Sequence, residues 1–166
     1  MTLFPAVASD KCPEFKSFVI DWVAREAWGE SDVQLDNCLT ALCFFENSDE
    51  KNFIIKCAVL FSNYDTHSNV IELSVVNRLT RVLPLWVVNL AMNYAFHDIG
   101  CQMLIARVDE DNEKSHRFLE KSGWDKVFIP RLGGRNKGKY LFTLTDDAWQ
   151  NSKMNKRRND YASTQS

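Results

Sequence analysis

Residues 69–124 read NVIELSVVNRLTRVLPLWVVNLAMNYAFHDIGCQMLIARVDEDNEKSHRFLEKSGW, and they decide the fold. Residues 70–76, VIELSVV, are β-branched and extended in character. A short basic loop, residues 77–81, follows. Residues 84–99 are nearly all apolar, with polar side chains recurring only at Asn89, Asn93 and His97. A helix apolar around most of its circumference packs on more than one side, so the polar positions are expected to form a thin wet stripe. Gly100 ends it, and residues 103–108 form a second extended run. Residues 109–115, DEDNEKS, open a shorter helix that stops at Gly123. The spacing predicts strand, loop, helix, strand, helix. A helical crossover between neighbouring strands makes them parallel.

Working backwards, residues 70–76 are preceded by two more strand-like runs. Residues 39–45 and 53–61 are rich in aromatic and branched side chains, and the polar residues 46–52 between them read as a hairpin loop. Residues 62–68 form a second turn. Three consecutive antiparallel strands are expected. In the third, Val70, Glu72, Ser74 and Val76 share one face, and Ile71, Leu73 and Val75 share the other.

Residues 2–8 can form a first strand, which Pro5 confines to a sheet edge or strand end. Pro13 suits a first helical turn, and Phe15, Phe18, Val19, Trp22 and Val23 form an apolar stripe ending before Gly29. Residues 30–37 link this helix to the next strand.

Forward of the quoted stretch, residues 127–130 and 139–144 form a hairpin across the basic loop 131–138. In the helix before it, Ser115, Phe118, Leu119 and Ser122 lie on one side. Glu113 and Arg117 are spaced for an ion pair there. Thr145 or Asp146 caps a last turn containing Trp149. Residues 1–151 are expected to be one domain, and 152–166 a polar, basic, solvated tail.

At 166 residues, with 45% hydrophobic and 25% charged side chains, the chain suits a soluble globular protein. A net charge of −2 argues against a dedicated nucleic-acid binder. Retention on DNA through residues 153–158 and the loop 131–139 is the weakest functional alternative. No apolar run reaches the roughly 20 residues that span a bilayer, so no membrane partner is expected, and no secretory signal is read at the start. Five cysteines, an odd set without a CxxC pair, fit buried thiols in a reducing cytoplasm better than a metal site.

The order β-α-β-β-β-α-β-α-β-β, with the segment from Gly100 to Trp124, resembles the GCN5-related N-acetyltransferases (GNAT superfamily). Residues 94–124 look most like versions encoded in tailed-phage genomes. The family spacing of Asn, two residues, Ser or Ala, then an apolar helix to Gly-Phe is met by Asn112, Ser115, Gly123 and Trp124. Residues 139–149, KYLFTLTDDAW, look like the family's closing strand and ending.

The resemblance implies an α+β (α/β) fold with a central mixed, mostly antiparallel seven-stranded sheet. Helices would cover both faces, and strands 4 and 5 would run parallel and splay apart. It implies that acetyl-CoA lies in that opening as cosubstrate. Backbone groups of Val75 and Val76 would line one wall, and Asn112 and Ser115 the other. Arg78 and Arg81 would serve the pyrophosphate. Glu72 is the candidate base for an amine-bearing small molecule or protein acceptor.

Two departures stand against the family pattern. The pyrophosphate loop carries no glycine: aligned on Arg81 or on Arg78, the positions for small residues hold Pro84 and Trp86 or other bulky side chains. Leu119 stands where many members carry a tyrosine that protonates the leaving thiolate. These departures support an alternative: a catalytically degenerate GNAT-fold protein, a phage virion or host-interaction component. Its tail would join a larger assembly, and Trp86 or Arg81 would fill the pyrophosphate space.

Overall fold

The computed structural model describes residues 2–29, 37–49, 52–79 and 82–156. In chain order these form β1 (Leu3–Ala8), α1 (Pro13–Trp28), β2 (Cys38–Asp49), β3 (Asn52–Asp65) and β4 (Val70–Asn77). There follow α2 (Leu85–Asn93), a π-helical stretch (Tyr94–Ile99), β5 (Met103–Asp109), α3 (Glu113–Lys121), β6 (Asp125–Ile129), β7 (Lys139–Thr145) and α4 (Asp146–Asn151). The strands form one seven-stranded sheet in the order β1-β2-β3-β4-β5-β7-β6. β4 and β5 are parallel, while β1–β2, β2–β3, β5–β7 and β6–β7 are antiparallel. The parallel pair is the one joined by a helix, since a tight hairpin can join only antiparallel neighbours.

The chain divides into two compact units, Met1–Tyr64 with Glu72–Val87, and Asp65–Ile71 with Val88–Ser166. In the first, α1 starts with Pro13 and ends at Gly29, whose left-handed φ of 70° lets its N–H reach the Arg25 carbonyl at 3.1 Å. Val19 and Val23 are fully buried in a cluster with Ala8, Cys38, Ala41, Cys43, Ile55, Ala58 and Leu60. The helix is turned slightly from the expected stripe. Ala24 is buried, whereas Phe18 is 51% exposed. Pro5 lies on β1, the edge strand, as expected of a proline within a sheet.

The expected loop 46–52 is mostly strand. β2 and β3 stay paired out to Asp49 opposite Asn52. Glu46 and Lys56 form an ion pair at 2.9 Å across this extension. Residues 50–51 lie outside the described residues. The second expected turn is also shorter, because β3 runs to Asp65.

In the second unit, the buried core includes Ile71, Val88, Ala91, Met92, Ala95, Leu104, Ala106, Phe142, Leu144 and Trp149. The single helix expected over 84–99 is instead an α-helix that begins at Leu85 and widens into π geometry from Tyr94. Gly100 closes it with φ 79°, its N–H on the Ala95 carbonyl. The wet stripe does not run the whole length: Asn89 is buried, and His97 is exposed. On α3 the buried residues are His116 and Leu119, followed by Ser122. His116 therefore belongs to the packed face, which its polarity had hidden. α4 is capped by Thr145, which accepts the Ala148 N–H at 3.2 Å. Residues 153–156 of the expected tail form a further helical turn, and residues 157–166 lie outside the described residues.

Leu104 has no exposed surface. Leu104→Ala should cost about 2–5 kcal/mol by urea denaturation, through lost burial and a residual cavity. Val127→Ala, at a position 54% exposed, should stay within about 0.5 kcal/mol.

Candidate functional site

Alternation along β4 gives its end two different faces. Ile71 and Leu73 are buried. Val76, on the opposite parity, packs partly buried against the α1 cluster. Arg78, of the same parity, reaches Glu26 of α1, with Nε 3.0 Å from Oε2. Glu72 shares that parity and is half-buried. Its carboxylate accepts the Asn63 side-chain N–H at 2.9 Å. Asn63 sits at φ 52°, a left-handed conformation that asparagine tolerates better than most residues. Its own N–H donates to the Asn37 carbonyl at 2.9 Å. Val75 is 43% exposed and so is not a core partner of Ile71 and Leu73 as the alternation predicted.

The turn after β4 is closed where it is described. The Arg78 N–H donates to the Lys56 carbonyl at 2.8 Å. The Leu79 N–H donates to Asn77 Oδ1 at 2.9 Å, and Leu79 is buried. These two amides are committed inside the protein, so an anion here would meet side chains before it met them. Arg81 lies outside the described residues. Trp86 is 44% exposed and meets Phe44 edge-on, with centroids 5.6 Å apart.

The second group of predicted residues opens α3. Asn112 is the N-cap, and its Oδ1 accepts the Ser115 N–H at 3.2 Å. The Asn-x-x-Ser spacing is therefore a helix cap in physical terms. Ser115 is half-buried. Sequence reasoning missed what holds this cap. The Asp109 carbonyl accepts the Asn112 N–H at 3.1 Å and makes a 2.9 Å hydrogen bond with His116 Nε2. The Asp109 carboxylate lies 3.0 Å from Lys139 Nζ and 3.2 Å from Lys137 Nζ. Lys139 foremost, with Lys137 adding to it, holds that carboxyl below its usual value, and burial opposes them. Asp109 and Lys139 stand directly opposite one another on β5 and β7. Strand register alone reveals that pairing.

An open depression of about 280 Å³ beside α3 is lined by Glu110, Glu113, His116, Arg117, Glu120, Lys126 and Tyr140. The expected Glu113–Arg117 pair forms there, as does a Glu120–Lys126 pair. The buried cysteines are chemically quiet. Burial pushes the Cys43 and Cys57 thiols up to about 12, with neighbouring cysteines adding to the rise at Cys43, and pushes Cys101 up to about 11.

Asn112→Ala should lower stability by about 1 kcal/mol in thermal unfolding, while Asn112→Ser should be close to neutral. The Asp109 carboxyl has its folded pKa depressed, so its contribution is full above the unfolded value. That contribution is lost as pH falls through the folded value. Its carbon-13 titration should have a midpoint below the ordinary aspartate value of about 3.9, and Lys139→Met should move that midpoint upward.

No known family profile matches the chain, and no curated protein matches it by sequence. Solved structures do. Mutant forms of the spermidine/spermine N-acetyltransferase SpeG from Vibrio cholerae match with TM-score 0.66 and 13% identity, covering 90% of this chain and 98% of that one. The spermidine N-acetyltransferase from the same organism in complex with CoA and spermine matches with TM-score 0.66, 11% identity and the same coverage. A GCN5-related N-acetyltransferase from Brucella melitensis matches with TM-score 0.57 and 20% identity, over 77% of this chain and 57% of that one. The chain has the fold of the GCN5-related N-acetyltransferases.

Proposed function

We propose that the chain is an N-acyltransferase that moves an acetyl group from acetyl-CoA to an amine, without a covalent enzyme intermediate. The observation that carries this reading is the fold shared over 90% of the chain with an acetyltransferase solved with CoA and spermine. The acceptor is an amine on a small molecule or on a protein, and spermine in that neighbour is one instance of the class.

In this reading the neutral amine attacks the thioester carbonyl carbon. A C–N bond forms, the C–S bond breaks and CoA leaves as a thiolate. Backbone N–H groups at Val75 and Val76 stabilise the charge that develops on the carbonyl oxygen. Asn112 and Ser115 line the pantetheine arm. Glu72 takes the surplus amine proton, directly or through water. Its hydrogen bond from Asn63 holds the carboxylate in place for that task. Leu119 is buried and supplies no acid. The thiolate is a tolerable leaving group without one, with an ordinary thiol pKa of roughly 8.5. Arg78 and Arg81 serve the phosphates by side-chain contact. The Arg78 guanidinium has about five N–H donors, enough for Glu26 and a phosphate to share.

One observation favours the second reading, a degenerate fold retained for interaction in a phage virion or host-binding assembly. The Arg78 and Leu79 amides are already spent within the protein, and Pro84 offers none.

Titration calorimetry and thermal shift with acetyl-CoA separate the two. Heat and a raised melting temperature are expected. Silence in both at millimolar ligand removes the enzyme reading. In an active preparation, Glu72→Gln should lower kcat by about 100-fold or more while leaving the KM for acetyl-CoA in place. Undiminished turnover would show that another group takes the proton.

A further inference from the structure

We infer that Asp109 and His116 are positioning residues that clamp the Asn112 cap to the loop between β6 and β7, so that loop and cap act as one body. The inference rests on the acyl-transfer reading for its functional half, since that reading assigns Asn112 and Ser115 to the pantetheine arm.

The contacts converge on one residue. The Asp109 carbonyl takes both the Asn112 N–H and a hydrogen bond from His116 Nε2. A carbonyl can only accept, so Nε2 carries the imidazole proton. His116 is 9% exposed, and its ring meets Tyr140 and Phe142 of β7 edge-on, with centroids 4.7 and 5.4 Å away. From the other side, the Asp109 carboxylate holds Lys139 at the start of β7 and Lys137 in the loop. The neighbouring Glu110 adds a second strand to the clamp, its Oε1 accepting the Gly138 N–H at 3.0 Å. Gly138 is pressed so close that a Cβ there would lie 2.8 Å from that oxygen and 2.3 Å from the Phe128 ring. Such an approach admits only glycine without a shift of the ring.

The carbonyl therefore fixes the cap from the helix side, and the carboxylate fixes it from the loop side. A displacement of residues 130–138 pulls on Asp109 and reaches the Ser115 N–H through Asn112. None of the clamp residues touches the reacting atoms in this assignment. Their effect falls on cosubstrate binding rather than on the chemical step.

Amide hydrogen exchange at Ser115 tests the clamp directly, in Lys137→Met/Lys139→Met and separately in His116→Phe, which keeps the aromatic packing but loses the donor. Exchange should quicken about tenfold or more, the size of one lost charge-assisted hydrogen bond. The KM for acetyl-CoA should rise by a similar factor at constant kcat. Lys139→Arg in the presence of Lys137 should retain both wild-type values. Unchanged exchange at Ser115 in both variants overturns the inference. Faster exchange with unchanged KM reduces the clamp to a structural role and overturns the positioning claim. If wild-type protein binds no acetyl-CoA, the acyl-transfer reading fails instead, and the exchange arm still decides whether the clamp exists.

Discussion

Everything proposed for Glu72 and Arg78 depends on the register of β4. Side chains on a strand alternate with a period of two, so a slip of one residue would carry Glu72 into the place of Leu73, a core position. Burial of Ile71 and Leu73 sets that register on one face, and the packing of Val76 against the α1 cluster sets it on the other. Polar contacts finish the work at both ends. The left-handed Asn63 delivers its amide to Glu72, and the Arg78 N–H closes on Lys56. The chemistry assigned to this strand thus rests on an apolar constraint before it rests on any charge.

The charges whose contacts are described are used mostly to place backbone. Arg78 is tied to Glu26, Lys56 to Glu46, and Asp109 to two lysines. These groups are partly exposed, where an ion pair contributes roughly 0–1 kcal/mol. Their value lies in direction: Arg78 joins the end of β4 to α1, Asp109 joins the end of β5 to β7 and the loop before it, and Lys56 crosses from β3 to β2.

Turn chemistry and periodicity made the order of elements legible in the sequence. Gly29, Gly100 and Gly123 all adopt positive φ at helix ends or just past them, which glycine does at little cost. Pro13 and Thr145 marked helix starts. Legibility failed where partners distant in sequence decided the outcome. Residues 46–49 read as loop by polarity, yet cross-strand pairing carries the ladder through them. Nothing along the helix itself placed His116 on the packed face, yet aromatic side chains of β7 enclose it. Leu119 was readable as a departure only through the family resemblance, which counts the tyrosine position of many members from Asn112.

The sequence by itself determined which elements form, in which order, and that Asn112 and Ser115 would stand at a helix start. These are local matters, governed by backbone preference, capping and the period of apolar residues along a few turns. Only the tertiary structure decided that Arg78 answers to Glu26, that Asn63 holds Glu72, and that Asp109 gathers His116, Lys137 and Lys139 around the cap. Each of those pairings depends on strand register or on helix packing, which no short stretch of sequence encodes. The energy that selects them comes from burying side chains far apart along the chain.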